Sequence, residues 1–368
     1  MEKTIHIFHH TDLDGMGVKL LGMLYANHRG IPYKTYKCGY RQINPSVQAI
    51  LKQPDDIEEI IIGDISVNDE TAQLLEQAVK GGMKIRLYDH HESALSLKEY
   101  EWAHVQETDE KGISRSGTWV MGQDPDFQTF YSENQFLMDT IDDWDTWNWK
   151  KKGNTTARKL NSLVDILDEE EFFKYILSKV FQPVDSEDSL FDDRIKIMLE
   201  THRRAVLSQA ETCEKNMYTF KLWTEVPIHK DGVQRRLTQS ISLKTGMVFV
   251  QSSVSEIGDV ILDNHPELDI LMMIIFPNTI SWRTQKQLPI SLGRIAKRAT
   301  GWGGGHPSAA GSTISYSVFQ DMITKFMEDS FEDTLDYSNL VSPYIRKLRE
   351  SEQKSEENEM PVDELLPF

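Results

Sequence analysis

The chain has 368 residues, which at roughly 150 residues per domain corresponds to about two domains. Its 39% hydrophobic content is enough for packed cores and argues against global disorder, and two cysteines are too few for a disulfide scaffold or a Cys-based zinc site. The formal net charge of -18 does not indicate a broad basic face for long nucleic acid, because phosphate binding depends mainly on Lys and Arg. No apolar run approaches the ~20 residues of a transmembrane helix and the N-terminus lacks a secretory signal pattern, so we expect a cytoplasmic protein with no membrane partner.

The first ninety residues alternate between strand and helix patterns, which predicts a mostly parallel, doubly wound α/β sheet with helices on both faces. Asn68 is a predicted N-cap, because two acidic residues and a helical apolar face follow it. The predicted strands are 4–8, 33–38, 57–62 and 84–88, and the predicted helices follow the first strand and cover 43–51 and about 69–80.

The pattern changes after residue 185. Apolar residues at helical spacing predict a long helix over 186–216, which we interpret as a linker to a second, smaller α/β domain. In that domain we predict strands at 247–252, 269–276 and 279–284, helices at 255–264 and 290–299, a glycine-rich loop at 301–311 and a last helix at 317–331. The predicted organisation is 1–185, 186–216 and 217–331, followed by an acidic, disordered tail over 332–368.

Metal-ligand residue types follow three of the predicted strands. In an open parallel sheet, ligands bind at the carboxyl ends of the strands, so residues distant in sequence should converge there. A fourth carboxylate can come from the segment that contains Asp142, Asp143 and Asp145. The strand-end residues are His9, His10, Asp12 and Asp14 after the first strand, Asp64 after the third, and Asp89, His90 and His91 after the fourth.

The mixture of carboxylates and imidazoles favours Mn²⁺, Fe²⁺ or Zn²⁺ over Ca²⁺ and Mg²⁺, which prefer oxygen ligands. The number of groups is sufficient for two ions, with Asp64 as a bridging ligand. Such a pair can clamp the attacking and leaving oxygens of a phosphoryl displacement. Each motif alone is also explained by a helix cap or a turn, but three at successive strand ends favour a metal site.

For Trp144, Trp147 and Trp149 we favour core packing over a base-stacking platform.

These motifs resemble those of a known family. The segment from His10 to Gly15, Asp64, the Asp89-His90-His91 triplet and the IDDWDTW segment are similar to the four successive motifs of DHH phosphoesterases. The segment from Trp302 to Pro307 (WGGGHP) resembles the GGGH loop of the associated DHHA1 domain. The resemblance covers residues 4–330 and implies a DHH domain joined to a DHHA1 domain, with the active site between them.

The resemblance also implies roles. Two Mn²⁺ ions are implied, with Mg²⁺ or Co²⁺ as substitutes. His91 would contact the scissile phosphate, Asp89 would orient the histidines, and Arg283 is a further candidate for a phosphate contact. The implied metal ligands are His10, Asp12 and Asp64 for one ion and Asp14, Asp64, His90 and Asp143 for the other. The implied phosphate-binding residues of the second domain are Gly303, Gly304, Gly305 and His306.

The sequence thus predicts a metal-dependent phosphodiesterase or exonuclease that hydrolyses short single-stranded RNA or DNA. One alternative is a hydrolase of cyclic dinucleotides or 3′-phosphoadenosine 5′-phosphate, and another is an inactive nucleotide-binding module. The last eight residues, 361–368, resemble the acidic tip of bacterial single-stranded DNA-binding proteins. This tip suggests a replication or repair protein as a partner, although a solvated tail explains it more simply.

Overall fold

A computed structural model describes residues 3–180, 182–228, 237–300 and 303–314. Its first sheet is parallel throughout, with the strand order β2-β1-β3-β4-β5. Four of these strands are the predicted ones and differ from the prediction by one residue at the C-terminal end. The strands are β1 (Thr4–His9), β2 (Tyr33–Lys37), β3 (Ile57–Gly63), β4 (Lys84–Asp89) and β5 (Ala103–Val105).

Helices lie on both faces of this sheet. Because successive side chains of a strand point to opposite faces, Ile61 packs in one core and Ile60 and Ile62 pack in the other. The doubly wound α/β prediction is therefore confirmed. The helices of this part are α1 (Leu13–Arg29), α2 (Ile43–Leu51), α3 (Asp69–Lys80), α4 (Gly117–Gly122), α5 (Pro125–Glu133), α6 (Gln135–Asp145), α7 (Asn148–Lys152), α8 (Thr155–Ile166) and α9 (Glu169–Val180), with 3₁₀ turns at Pro54–Asp56 and Glu92–Glu99.

A second sheet follows, in the strand order β10-β11-β9-β8-β7-β6. Its neighbouring strands are antiparallel except for the parallel pair β7 and β8. The helices are α10 (Glu187–Leu190), α11 (Asp193–Lys215), α12 (Val254–Asn264) and α13 (Leu292–Thr300). The strands are β6 (Tyr218–Ile228), β7 (Leu237–Val250), β8 (Ile270–Ile275), β9 (Thr279–Arg283), β10 (Gly303–Gly305) and β11 (Ala309–Thr313).

Helix α11 links the two sheets through their cores. Ile195 and Leu199, near its start, belong to the core on one face of the first sheet, and Val206 and Ala210 pack with the second sheet. One helix therefore takes part in both cores, but it begins at Asp193, after the separate helix α10, whereas a single helix was predicted over 186–216.

Two predictions differ from the structure. The segment predicted as a glycine-rich loop contributes strands β10 and β11, and β6 with the first part of β7 was not predicted. The predicted last helix, the acidic tail and Trp302 lie outside the described residues. Both sheets belong to one compact unit, Met1–Thr313, and the domain boundaries at 185, 216 and 331 remain predictions. Among the described helices, none is long and apolar enough to span a bilayer.

Candidate active site

The turn between β1 and α1 places the first set of polar side chains. Asp12 is the N-cap of α1, and its Oδ1 accepts a hydrogen bond from the Gly15 N–H at 3.1 Å. A Cβ atom at Gly15 would lie 2.4 Å from the backbone oxygen of His10, so glycine permits this tight turn. The turn therefore holds His10, Asp12 and Asp14 together at the carboxyl end of β1.

Asp64 follows β3 in an unusual backbone conformation. Its φ of 57° lies in the left-handed region, and its N–H donates to the Tyr88 carbonyl of the neighbouring strand at 2.9 Å. Non-glycine residues held in this region often lie at functional sites, and Asp adopts it more readily than most. The side chain is 1% exposed. The strand end thus fixes this carboxylate at the point where the strand order reverses.

The carboxylates and imidazoles form two groups that meet at Asp64. In the first group His10 Nδ1 lies 2.7 Å from Asp12 Oδ2 and 3.6 Å from Asp64 Oδ2. In the second group His90 Nε2 lies 3.2 Å from Asp64 Oδ1, 3.4 Å from Asp145 Oδ2 and 3.7 Å from Asp14 Oδ2. Asp64 therefore presents one oxygen to each group.

The electrostatics of these groups fit bound cations. The Oδ2 atoms of Asp64 and Asp145 are buried and have no hydrogen-bond partner among the described residues. Burial and the carboxylates of Asp12 and Asp14 raise the pKa of Asp64 well above its ordinary value, and burial with the same neighbours raises that of Asp145. Burial would lower the pKa of His10, but Asp12 raises it to about 9. Crowded carboxylates with free oxygens are the donor set that divalent cations neutralise.

Asp14 is held by a neighbouring helix. Its two carboxylate oxygens accept hydrogen bonds from the N–H groups of Gly117 at 2.6 Å and Thr118 at 2.9 Å, in the first turn of α4. The Thr118 hydroxyl also donates to the Asp14 carbonyl at 2.8 Å. The first turn of α4 thus holds this carboxylate in a fixed orientation. No motif in the sequence indicates that the N-terminus of α4 binds Asp14.

Asp89 orients His91. Its Oδ1 lies 2.7 Å from His91 Nδ1 and also accepts from the backbone N–H groups of His90 and His91. Burial opposes ionisation, but His91 and His90 lower the pKa of Asp89 below its ordinary value. When Nδ1–H donates to this carboxylate, the imidazole has its Nε2 left for a ligand.

Asp143 is not brought to the two groups, which corrects its prediction as a ligand. Its oxygens contact the Lys152 ammonium at 2.5 Å and the Asn154 side-chain amide at 3.3 Å. Asp142 is bound by Arg115 Nη1 and the Ser116 N–H. Residues two apart on a helix point about 200° apart, so Asp143 faces away when Asp145 faces the site.

The second sheet contributes one wall of a cleft of about 400 Å³. Gly304, Gly305, His306 and Arg283 line it, whereas Gly303 is not among the lining residues. The His306 ring is stacked on the His91 ring with centroids 4.5 Å apart. Burial and the neighbouring His91 and His90 lower the pKa of His306 well below its ordinary value, so this imidazole is neutral.

Arg283 supplies the guanidinium in this wall. Its Nη2 donates to the Ser255 hydroxyl at 3.2 Å, and its Nε is buried without a hydrogen-bond partner among the described residues. Burial lowers its pKa to about 10, which leaves it charged near neutral pH. Ser255 lies in the first turn of α12, whose N-terminus has no side-chain cap. A cation and free helix N–H groups thus meet where an anion can bind.

Aromatic side chains form another part of the cleft. Trp149 is buried and stacks on Trp144, but Trp144 and Trp147 also line the cleft, so only part of the Trp cluster is core. Tyr40, which is 50% exposed, lies 5.4 Å from the His10 ring. Tyr40 belongs to none of the motifs in the sequence, although it lies shortly after the end of β2, at the edge of the sheet where ligands bind.

Two metal-type ligand groups that share a carboxylate, facing an anion-binding wall, are characteristic of a metal-dependent phosphoesterase. The chain is 28% identical over 331 residues to the oligoribonuclease NrnB of Bacillus subtilis (strain 168). The alignment covers 86% of this chain and 74% of that protein. The resemblance to DHH/DHHA1 phosphoesterases is thereby confirmed. No protein-family model matches the sequence.

Solved structures that this chain matches include RecJ in complex with Mn²⁺ from Thermus thermophilus. It has a TM-score of 0.49 and 9% identity, and the match covers 88% of this chain and 51% of that one. An exopolyphosphatase-related protein from Bacteroides fragilis has a TM-score of 0.41 and 12% identity, with 89% and 92% covered. Both TM-scores are below 0.5. The fold is therefore described from the two sheets of this chain alone.

Proposed function

We propose that this protein is a metal-dependent phosphodiesterase that hydrolyses short single-stranded oligonucleotides. The observation that carries the proposal is the position of Asp64, whose two oxygens face different ligand groups. His10, Asp12 and Asp64 would hold one divalent cation, and Asp14, Asp64, His90 and Asp145 the other. When bound, the cations supply Lewis-acid polarisation of the phosphoryl group and lower the pKa of a water molecule. We expect Mn²⁺, with Mg²⁺ or Co²⁺ as substitutes.

The other residues of the cleft bind and orient the substrate. His91, oriented by Asp89, contacts the scissile phosphate, and Arg283 neutralises a phosphate oxygen from the opposite wall. Neutral His306, stacked on His91, lies within reach of the same phosphate. These groups position the phosphodiester between the two sheets.

The dimensions and the lining favour a short substrate. A cleft of about 400 Å³ is at the small end of ligand pockets, which span roughly 300–1,000 Å³. Tyr40, Trp144 and Trp147 offer faces on which bases can stack independently of their sequence. The net charge of -18 provides no general attraction for a long phosphate backbone. The similarity to an oligoribonuclease supports the same substrate class.

The test is a substrate panel with the full-length protein in Mn²⁺ or in EDTA. The panel contains a dinucleotide, a five-residue RNA, long single-stranded DNA, a cyclic dinucleotide and 3′-phosphoadenosine 5′-phosphate. We expect the dinucleotide and the five-residue RNA to give the highest kcat/KM, and EDTA to stop turnover. Faster turnover of a cyclic dinucleotide or of 3′-phosphoadenosine 5′-phosphate would replace the proposal with a small-nucleotide hydrolase, and no turnover at all would indicate an inactive binding module.

Asp64→Asn is the negative control for the panel. Asn also tolerates the left-handed backbone and has the same volume, so the fold should be unchanged. Because a shared ligand is lost, activity should fall by more than the 10–100-fold that is typical for loss of an outer-shell partner, or about 100-fold at least. Circular dichroism verifies the fold. Mn²⁺-dependent turnover at the wild-type rate would contradict the two-metal assignment.

A further inference from the structure

A second group of metal-type side chains lies outside the active-site cleft. Asp165 on α8, His202 on α11 and Glu256 on α12 each offer one ligand atom, and these atoms lie within 4.8 Å of one another. None of the three lines the cleft or belongs to the two groups around Asp64. The three residues come from three different helices.

Glu256 is the unusual member of this group. Its side chain is 0% exposed, and its Oε1 accepts from the Ser162 hydroxyl at 2.7 Å and lies 3.0 Å from His202 Nε2. Its Oε2 is buried and has no hydrogen-bond partner among the described residues. A buried, unsatisfied carboxylate oxygen is costly, and a bound ion is one of the few arrangements that satisfy it.

We propose that Asp165, His202 and Glu256 bind a divalent cation, with Zn²⁺ as the probe, at a site separate from the active site. One imidazole with two carboxylates is a ligand set that Zn²⁺ accepts, with water in the remaining position. Asp165 is exposed, so an ion can enter from solvent, while Glu256 supplies the buried ligand. The ion provides the partner that Oε2 lacks.

The position of the site indicates a structural role. Leu160 and Leu163 of α8 belong to the first core, and Ile257 and Ile261 of α12 belong to the core of the second sheet. Helix α11 packs against both helices and supplies His202. An ion bound to all three helices would stabilise the arrangement of the two cores. It would therefore raise the melting temperature without taking part in hydrolysis.

Arg203 is the competing partner for Glu256. Its Nη1 is also buried and without a hydrogen-bond partner among the described residues, and the two groups interact electrostatically. A rearrangement that paired this guanidinium with Oε2 would satisfy both groups without an ion. The experiment must therefore separate a bound cation from an Arg–Glu pair.

The test titrates the chelator-stripped full-length protein with Zn²⁺ by calorimetry. We expect His202→Asn to bind one equivalent fewer than wild type, and the exposed change Asp165→Asn to weaken that equivalent at least about tenfold. His265→Asn is the matched control, because His265 follows α12 and contacts Glu267 outside the group. Asp165→Asn should keep wild-type Mn²⁺-dependent hydrolysis but show a smaller Zn²⁺-dependent rise in melting temperature than wild type.

Crystals soaked in Zn²⁺ provide the second measurement. An anomalous peak at the zinc edge between Asp165, His202 and Glu256 would support the proposal. A structure in which Arg203 donates to Glu256 with no peak, or equal Zn²⁺ stoichiometry in wild type, His202→Asn and Asp165→Asn, would overturn it. Either result is independent of the proposed hydrolysis, because neither measures turnover.

Discussion

The assignment of Asp145 as a ligand is testable at a single residue, because α6 carries a matched control. Asp145 Oδ2 lies 3.4 Å from His90 Nε2, whereas Asp143 pairs with Lys152. We expect Asp145→Asn to reduce kcat with Mn²⁺ by about 100-fold or more, since it removes a charged ligand. Asp143→Asn should keep kcat within a few-fold, because it weakens contacts with Asn154 and a half-exposed lysine, neither of which belongs to the two ligand groups.

Both substitutions keep the side-chain volume, so the comparison isolates the charge at each position. The two variants should be compared for kcat and for the Mn²⁺ concentration that gives half-maximal rate. Equal losses in both would show that the segment tolerates no change of charge. A loss confined to Asp143→Asn would restore that residue as the ligand.

Most of the residues around Asp64 can be predicted from the sequence because β-strand patterns are local. His10, Asp12, Asp64 and His90 follow strands whose limits are marked by apolar runs, and the parallel sheet brings these ends together. The choice among the aspartates of α6 depends on the rotation of that helix, which tertiary packing determines. Motif alignment alone therefore selected Asp143.

At the level of elements, the β10–β11 hairpin depends on one glycine. Gly305 has φ of 135°, and a Cβ atom there would lie 2.6 Å from the Ala309 carbonyl oxygen. Gly305→Ala should therefore lower the free energy of unfolding by about 1–3 kcal/mol. It should also raise KM, because His306 is the next residue in the chain. Denaturant unfolding and steady-state kinetics measure the two effects.

Gly304→Ala is the control for this hairpin. A Cβ atom there would meet nothing within 4 Å, so its free energy of unfolding should stay within about 0.5 kcal/mol of wild type. Equal destabilisation by both substitutions would mean that glycine is needed throughout the hairpin rather than at the one position with positive φ.

The same hairpin shows why some elements escaped prediction. Glycine is depleted in strands, so a run of glycines indicates a loop by composition, although here it pairs with β11. Strand β6 contains exposed residues such as Tyr218 and Trp223, and this weakens the apolar alternation from which strands are recognised. Strands β1, β3 and β4 of the first sheet are buried along almost their whole length, and their apolar runs were therefore easier to recognise.

At the scale of the molecule, the negative net charge does not attract phosphate, whereas individual groups in the cleft can bind it. The total of -18 includes twelve acidic and four basic residues over 328–368, a net of 4 - 12 = -8. The remaining charge is -18 + 8 = -10 over 1–327, so that part is still acidic. The cations that bind phosphate should therefore be the few groups in the cleft, such as Arg283, together with the bound metal ions.

This arrangement predicts a weak dependence on salt that is the same for all substrate lengths. Single strands give a slope of about -0.7 per phosphate contacted, so one or two contacts give about -0.7 to -1.4 in log kcat/KM against log salt concentration. We expect equal slopes for a dinucleotide and a five-residue RNA at fixed Mn²⁺.

Arg283→Gln should flatten both salt slopes by about 0.7 if Arg283 contacts one phosphate. Lys286→Gln should change neither slope, because Lys286 pairs with Asp269. A slope that becomes steeper with substrate length would instead reveal a surface that binds a longer backbone.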